Sequence, residues 1–181
     1  MNLKLLSNQS IAWITILAFV MSFAVSCGPA EEETETDDDY DEEDDYEEAA
    51  DYDQEIDLEI VASGNNMGEI KFEVDEVSVP ANAKVTLTLI NNSEGAGMDH
   101  NFVVVEEEHL EDIVDAGLAA GPDNEFLPDG GHEGLIAASP LAAPGETITY
   151  EFITPSEPGE YLFICLYPGH VDAMQGPFIV E

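Results

Sequence analysis

Cys165, His170 and Met174 share one short run, Cys165-Leu166-Tyr167-Pro168-Gly169-His170-Val171-Asp172-Ala173-Met174. A thiolate, an imidazole and a thioether so close together can act on one soft or borderline metal ion. One Cys and two His in a trigonal arrangement, with a long axial Met, form a donor set that suits copper in both of its oxidation states. Three of those four donors lie on this loop, so a second imidazole has to come from another part of the chain.

The sequence has four histidines: His100, His109, His132 and His170. His109 falls among Glu106, Glu107, Glu108 and Glu111, which reads as a solvated helical face. His132 follows Gly130-Gly131 in an irregular excursion. His100 comes directly after Gly95-Ala96-Gly97-Met98-Asp99 and opens the apolar stretch Asn101-Phe102-Val103-Val104. That places it at the rim of a strand, where connections between non-sequential strands can bring it to a loop near the end of the chain.

Strands must carry these loops. Ile56-Leu58-Ile60, Ile70-Phe72-Val74 and Val85-Leu87-Leu89 alternate with polar residues, the pattern of half-buried strands. Phe102 to Val105, Ile148 to Ile153, Tyr161 to Cys165 and Phe178 to Val180 complete the set. Pro80, Asn91-Asn92, Pro155, Pro158-Gly159 and Gly176-Pro177 mark turns. The reading is all-β, a Greek-key antiparallel β-sandwich of about seven or eight strands. One short amphipathic helix from His109 to Leu118 lies in a long inter-strand excursion, with Leu110, Ile113, Val114 and Leu118 as its apolar positions. Phe163, Ile164 and Phe178 are expected to pack beneath the loop that begins at Cys165.

Met98-Asp99-His100-Asn101-Phe102-Val103, taken with Tyr161 to His170 and Met174, resembles the cupredoxins, in particular the azurin and auracyanin branch. Four residues separate Cys165 from His170 and three separate His170 from Met174, as in azurins. The resemblance implies one type 1 copper, with Cys165, His100 and His170 as ligands and Met174 as the weak axial ligand. It implies that Asn101 pins the ligand loop and that the Asp99 backbone oxygen is a candidate fifth contact, although azurins carry glycine at that position. Azurin's disulfide has no counterpart here, because Cys27 and Cys165 are the only cysteines. The resemblance also implies electron transfer through an exposed edge of His170, within an apolar docking patch of Met98, Leu166, Tyr167, Pro168, Val171 and Ala173.

Two extensions precede this domain. Lys4 and the apolar run from Ile11 to Val25 end at Ala24-Val25-Ser26-Cys27, which resembles a bacterial lipoprotein signal. The run is short for a membrane span of about 20 residues. Residues 1–26 are therefore read as a signal peptide and Cys27 as the lipidated residue. Residues 27–55 are read as an acidic tether too poor in apolar side chains to form a core. The copper-binding domain occupies residues 56–181.

The formal net charge of the whole chain is −38. Between residues 56 and 181, 24 acidic residues face only Lys71 and Lys84. Such a surface repels nucleic acid and steers basic partners toward it, a cationic cytochrome domain among them, although adaptation to a saline medium would give the same composition. The functional expectation is a lipid-anchored one-electron carrier in the cell envelope, on the periplasmic or cell-surface side, and not an enzyme. The alternative is a copper carrier or buffer that uses the same ligands without redox cycling.

Overall fold

Alternation of buried and open positions organises the first sheet of the computed structural model, which describes residues 51–181. The expected signal segment, Cys27 and the acidic stretch through residue 50 lie outside the described residues. In β4 (Ala83–Asn91), Ala83, Val85, Leu87, Leu89 and Asn91 are buried and the residues between them are partly open. β1 (Gln54–Ser63) begins two residues before the expected Ile56 and buries Ile60 and Ala62. With β2 (Lys71–Phe72) and β7 (Thr147–Ile153), these strands form a four-stranded sheet in the order β2-β1-β4-β7.

The second sheet has five strands in the order β3-β9-β8-β5-β6. They are β3 (Val77–Val79), β5 (Val103–Val105), β6 (Leu135–Ala138), β8 (Gly159–Ile164) and β9 (Gln175–Val180). The described residues thus form nine strands, with β3 and β6 added to those expected. β3 is too short to show a period, and β6, Leu135-Ile136-Ala137-Ala138, does not alternate at all.

The sandwich is mixed, not antiparallel throughout. β1 pairs with β4 in parallel over Gln54 to Ala62, and β3 pairs with β9 in parallel. Between β1 and β4 the chain passes through β3, in the other sheet, and so re-enters the first sheet by a crossover and not by a hairpin. Hairpins impose antiparallel pairing, whereas crossovers permit parallel pairing.

β5 is buried on both faces, which explains its unbroken Val103-Val104-Val105. Val104 joins the inter-sheet core with Phe72, Phe102, Phe163 and Phe178. Val103 and Val105 join Ile113, Ile164 and Leu166 under the helix α1 (Leu110–Ala120). Ile164 therefore belongs to the helix-covered face, while Phe163 and Phe178 pack in the core with Cys165 and Met174. A 3-10 turn at Glu107–His109 leads into α1 and takes the place of the first residue of the expected helix. Ile113 and Gly117 face inward, but Leu118 does not.

Aromatic rings fill the space below the ligand loop. Phe102 and Phe163 stack with centroids 5.4 Å apart, and Phe72 meets both edge-on at 5.6 Å. Gly176 pairs with Phe163 across β8 and β9. A Cβ on Gly176 would lie 2.9 Å from the Asp75 carbonyl oxygen and would also collide with the Phe163 ring. Gly176→Ala is expected to destabilise the fold by about 1–3 kcal/mol, the usual cost of overpacking, measured as a lower urea midpoint with an unchanged denaturant slope.

Candidate metal centre

His100 is positioned by backbone pairing and by a buried amide. It does not open a regular strand. It forms an isolated bridge with Ala142, in which each backbone N–H donates to the other residue's carbonyl, at 3.1 and 2.8 Å. Asn91, the last residue of β4, is fully buried, and its Nδ2 donates to the carbonyls of Met98 and Ala142 at 2.8 Å each. Its Oδ1 accepts from the Ser93 N–H at 2.9 Å, and Ser93 Oγ lies 3.1 Å from His100 Nε2. A proton on Nε2, donated to Ser93, leaves Nδ1 with its lone pair free to bind a metal. Nothing in the composition around Ser93 pointed to this role, because its partner is seven residues away around a loop.

The other donors come from the end of β8. The Cys165 N–H donates to the Met174 carbonyl at 3.0 Å, closing the loop on itself. Within it, the His170 N–H donates to the Tyr167 carbonyl at 3.0 Å, with Pro168 and Gly169 at the corner. Gly169 has φ +84°, which the third position of a type II turn demands and which glycine adopts without strain. His170 then starts a helical turn whose carbonyl accepts from Ala173 and Met174. Asn101 ties the two segments together, its Oδ1 accepting from the Leu166 N–H at 2.8 Å. The N–H groups of Asn101 and Tyr167 also point at the Cys165 sulfur.

These supports bring three donor atoms to one point. Cys165 Sγ lies 3.8 Å from His100 Nδ1 and 3.7 Å from His170 Nδ1, and the two nitrogens are 3.2 Å apart. The point equidistant from all three lies about 2.1 Å from each, within the usual range for a transition metal bound to imidazole nitrogen and thiolate sulfur. Cys165, His100 and His170 are each 0% exposed. Met174 is also buried and packs in the same cluster as Cys165. The residues therefore fit a small, water-excluded metal site.

Burial governs the protonation of the metal-free site. It lowers the His100 pKa to about 4, with repulsion from His170 adding to the effect. It lowers that of His170 as well, opposed by the Gly97 backbone and the Asp99 carboxylate. It pushes the Cys165 thiol up to about 12, despite the two N–H groups aimed at the sulfur. Neutral imidazoles stand ready as ligands, while the thiol must give up its proton to the incoming metal.

Two features differ from the sequence reading. His170 has no exposed edge: the Tyr167 ring lies against it with centroids 4.7 Å apart, and His170 Nε2 is buried without a hydrogen-bond partner. Met98 and Leu166 are 7% and 3% exposed and belong to the core, because the first turns under the loop and the second packs beneath α1. Of the remaining patch residues, Tyr167, Pro168 and Val171 are half-buried and Ala173 is exposed. His109 lies beside Glu106 and Glu108, and His132 beside its neighbour's carbonyl, both apart from the triad.

Residues 59–181 match the family of copper binding proteins described as plastocyanin/azurin. Auracyanin-A of Chloroflexus aurantiacus is 39% identical over 128 residues, covering 70% of this chain and 75% of that protein. The structure of that "blue" copper protein has a TM-score of 0.61 and 36% identity, covering 70% of this chain and 99% of its own. Azurin iso-2 of Methylomonas sp. strain J is 31% identical over 126 residues, 67% of this chain and 95% of that protein. Dithionite-reduced auracyanin from Roseiflexus castenholzii gives a TM-score of 0.60 at 32% identity, covering 69% and 96% of the two chains.

Two expectations follow from the site. His100 is neutral when folded, so the unfolded chain binds the extra proton between pH 6.5 and about 4, and stability falls as pH drops through that window. The folded thiol keeps its proton between pH 9.0 and about 12, so stability also falls as pH rises there. Urea midpoints of the metal-free protein should therefore decline on both sides, and Cys165→Ala should remove the alkaline decline alone. Ser93→Ala should weaken copper binding by about 10- to 100-fold, the usual effect of losing the partner that orients a ligating histidine. Chelator competition measures the loss, and Ser93→Thr, which keeps the hydroxyl, should restore most of it.

Proposed function

The chain belongs to the plastocyanin/azurin family of copper-binding proteins, and from that membership and the donor triangle we propose that it is a one-electron carrier anchored to a membrane by lipid on Cys27. His100, Cys165 and His170 would hold a copper ion, with Met174 and the Asp99 carbonyl as further candidate donors. Copper bound there would supply one-electron chemistry between Cu(I) and Cu(II). The chain's contribution is to keep the donors still. The Asn91, Ser93 and Asn101 side chains, the Pro168-Gly169 turn and the phenylalanine layer each resist displacement of a ligand, so neither oxidation state can draw the site into its own preferred geometry.

The observation that carries this reading is the closed, dry triangle of Cys165, His100 and His170. A site that delivers copper needs an accessible donor to start the exchange, whereas all three of these atoms belong to fully buried residues. The acidic segment that precedes β1 serves as a tether that holds the domain off the membrane surface, on the periplasmic or cell-surface side of a bacterial membrane. No helix among the described residues is long and apolar enough to cross a membrane. Partners are redox proteins with a basic surface, drawn by the domain's acidity.

The copper-loaded protein is expected to show an intense visible thiolate-to-copper band and a reversible one-electron wave, and Cys165→Ser is expected to lose both. A colourless wild type would sink the assignment. Copper that passes readily to a competing chelator, with no reversible wave, would mark a delivery protein instead.

A further inference from the structure

A groove of about 480 Å³ separates α1 from the ligand loop. Val114 and Leu118 line it from the helix, and Pro168 and Val171 line it from the loop. Tyr167 lines it too, and the same ring lies against His170, the ligand whose edge it closes. Phe126 meets Tyr167 edge-on at 5.5 Å and backs it from the segment after α1. Tyr167 therefore stands between His170 and the groove.

Two independent observations indicate that something docks here. Among the described residues, the large hydrophobics left exposed are Met67 and Leu118, at 52% and 50%. Both border the ligand loop: Leu118 lines the groove, and the Met67 methyl lies 3.4 Å from where a Gly169 Cβ would stand. Leu118, Val114, Pro168 and Val171 together give the groove a contiguous apolar lining, the kind of patch that marks an interaction surface. The second observation is charge. Glu111, Asp115 and Asp172 stand along the groove and no basic side chain lines it. The two lysines of the domain sit in the other sheet, where Lys71 pairs with Glu73 and Lys84 with Glu151.

We propose that this groove is the docking site for a cationic redox protein that inserts an apolar side chain between Leu118 and Pro168 and sets basic residues against Glu111, Asp115 and Asp172. Tyr167 then separates partner from His170, and one electron crosses it: the oxidised partner is reduced as the centre is oxidised. The proposal rests on the electron-carrier reading and moves the contact from the face over His170 to the helix side of the loop.

The test uses the copper-loaded full chain and a lysine-rich c-type cytochrome, with the second-order exchange rate followed by stopped flow at low ionic strength. The pair Glu111→Lys/Asp115→Lys reverses the groove charge. Asp57→Lys/Glu59→Lys makes the same change in net charge on exposed positions of β1 in the other sheet. The groove pair is expected to slow exchange about tenfold more than the β1 pair, as placement and not net charge alone governs steering to a docking site. Leu118→Gln, which changes no charge, is expected to slow exchange severalfold with the visible band and potential unmoved. Equal slowing by the two charge pairs, or an unchanged rate with Leu118→Gln, would overturn the groove. Failure of the carrier reading is distinguishable, because wild type would then show no reversible wave at all.

Discussion

Two imidazole nitrogens held 3.2 Å apart beside a buried sulfur form an arrangement that no apolar core would adopt spontaneously. Their lone pairs converge on the same point, inside residues that are fully buried. Burial compounds the problem, since it denies each ring the proton that would turn repulsion into a hydrogen bond with the other. The arrangement persists because each donor is fixed from outside the triangle. Ser93 holds the far nitrogen of His100, the type II turn holds His170, and the Cys165 backbone is pinned by Met174. A cation placed between the lone pairs relieves what the fold alone must otherwise bear.

This constraint explains several features that look unrelated. Asn91 is a buried amide at the end of a strand, and it is tolerated because its three hydrogen bonds go to the loop that carries His100 and to Ala142, the bridge partner of His100. β5 follows the His100 segment and pairs from Val103 to Val105 with β8, whose last residue, Ile164, leads into Cys165. The α1 excursion covers the outer face of that pair. The helix thus belongs to the metal site as a second layer, although none of its side chains is a ligand.

Much of this was legible in the sequence, and the limits are instructive. Loop spacing singled out Cys165, His170 and Met174 and a strand-rim position singled out His100, and the fold brings the thiol and both imidazoles of that set to one point. Alternation identified β1, β4 and β7 because one face of each is open. β6 was illegible for the opposite reason, since short runs of small residues carry no period. Parallel pairing was also hidden, as it depends on which sheet the intervening strand β3 joins. Surface roles were the least readable. Met98 and Leu166 looked like patch residues by their place near the ligands, yet a loop that folds over its own site buries some of its apolar side chains and exposes others. Leu118 fitted the apolar stripe of the helix, but Gly117 takes the inward place beside Leu166 and turns Leu118 to solvent.

The acidity of the domain bears on the centre as well as on its partners. Asp99 lies close enough to raise the proton affinity of both Cys165 and His170, which means that its field stabilises positive charge at the donor triangle. A field that favours a proton there also favours the more highly charged oxidation state of a bound metal. Burial works the other way, since a low-dielectric pocket disfavours added charge. The potential of a metal bound there would therefore be set by opposition between a hydrophobic enclosure built from phenylalanine and leucine and the nearby Asp99 carboxylate.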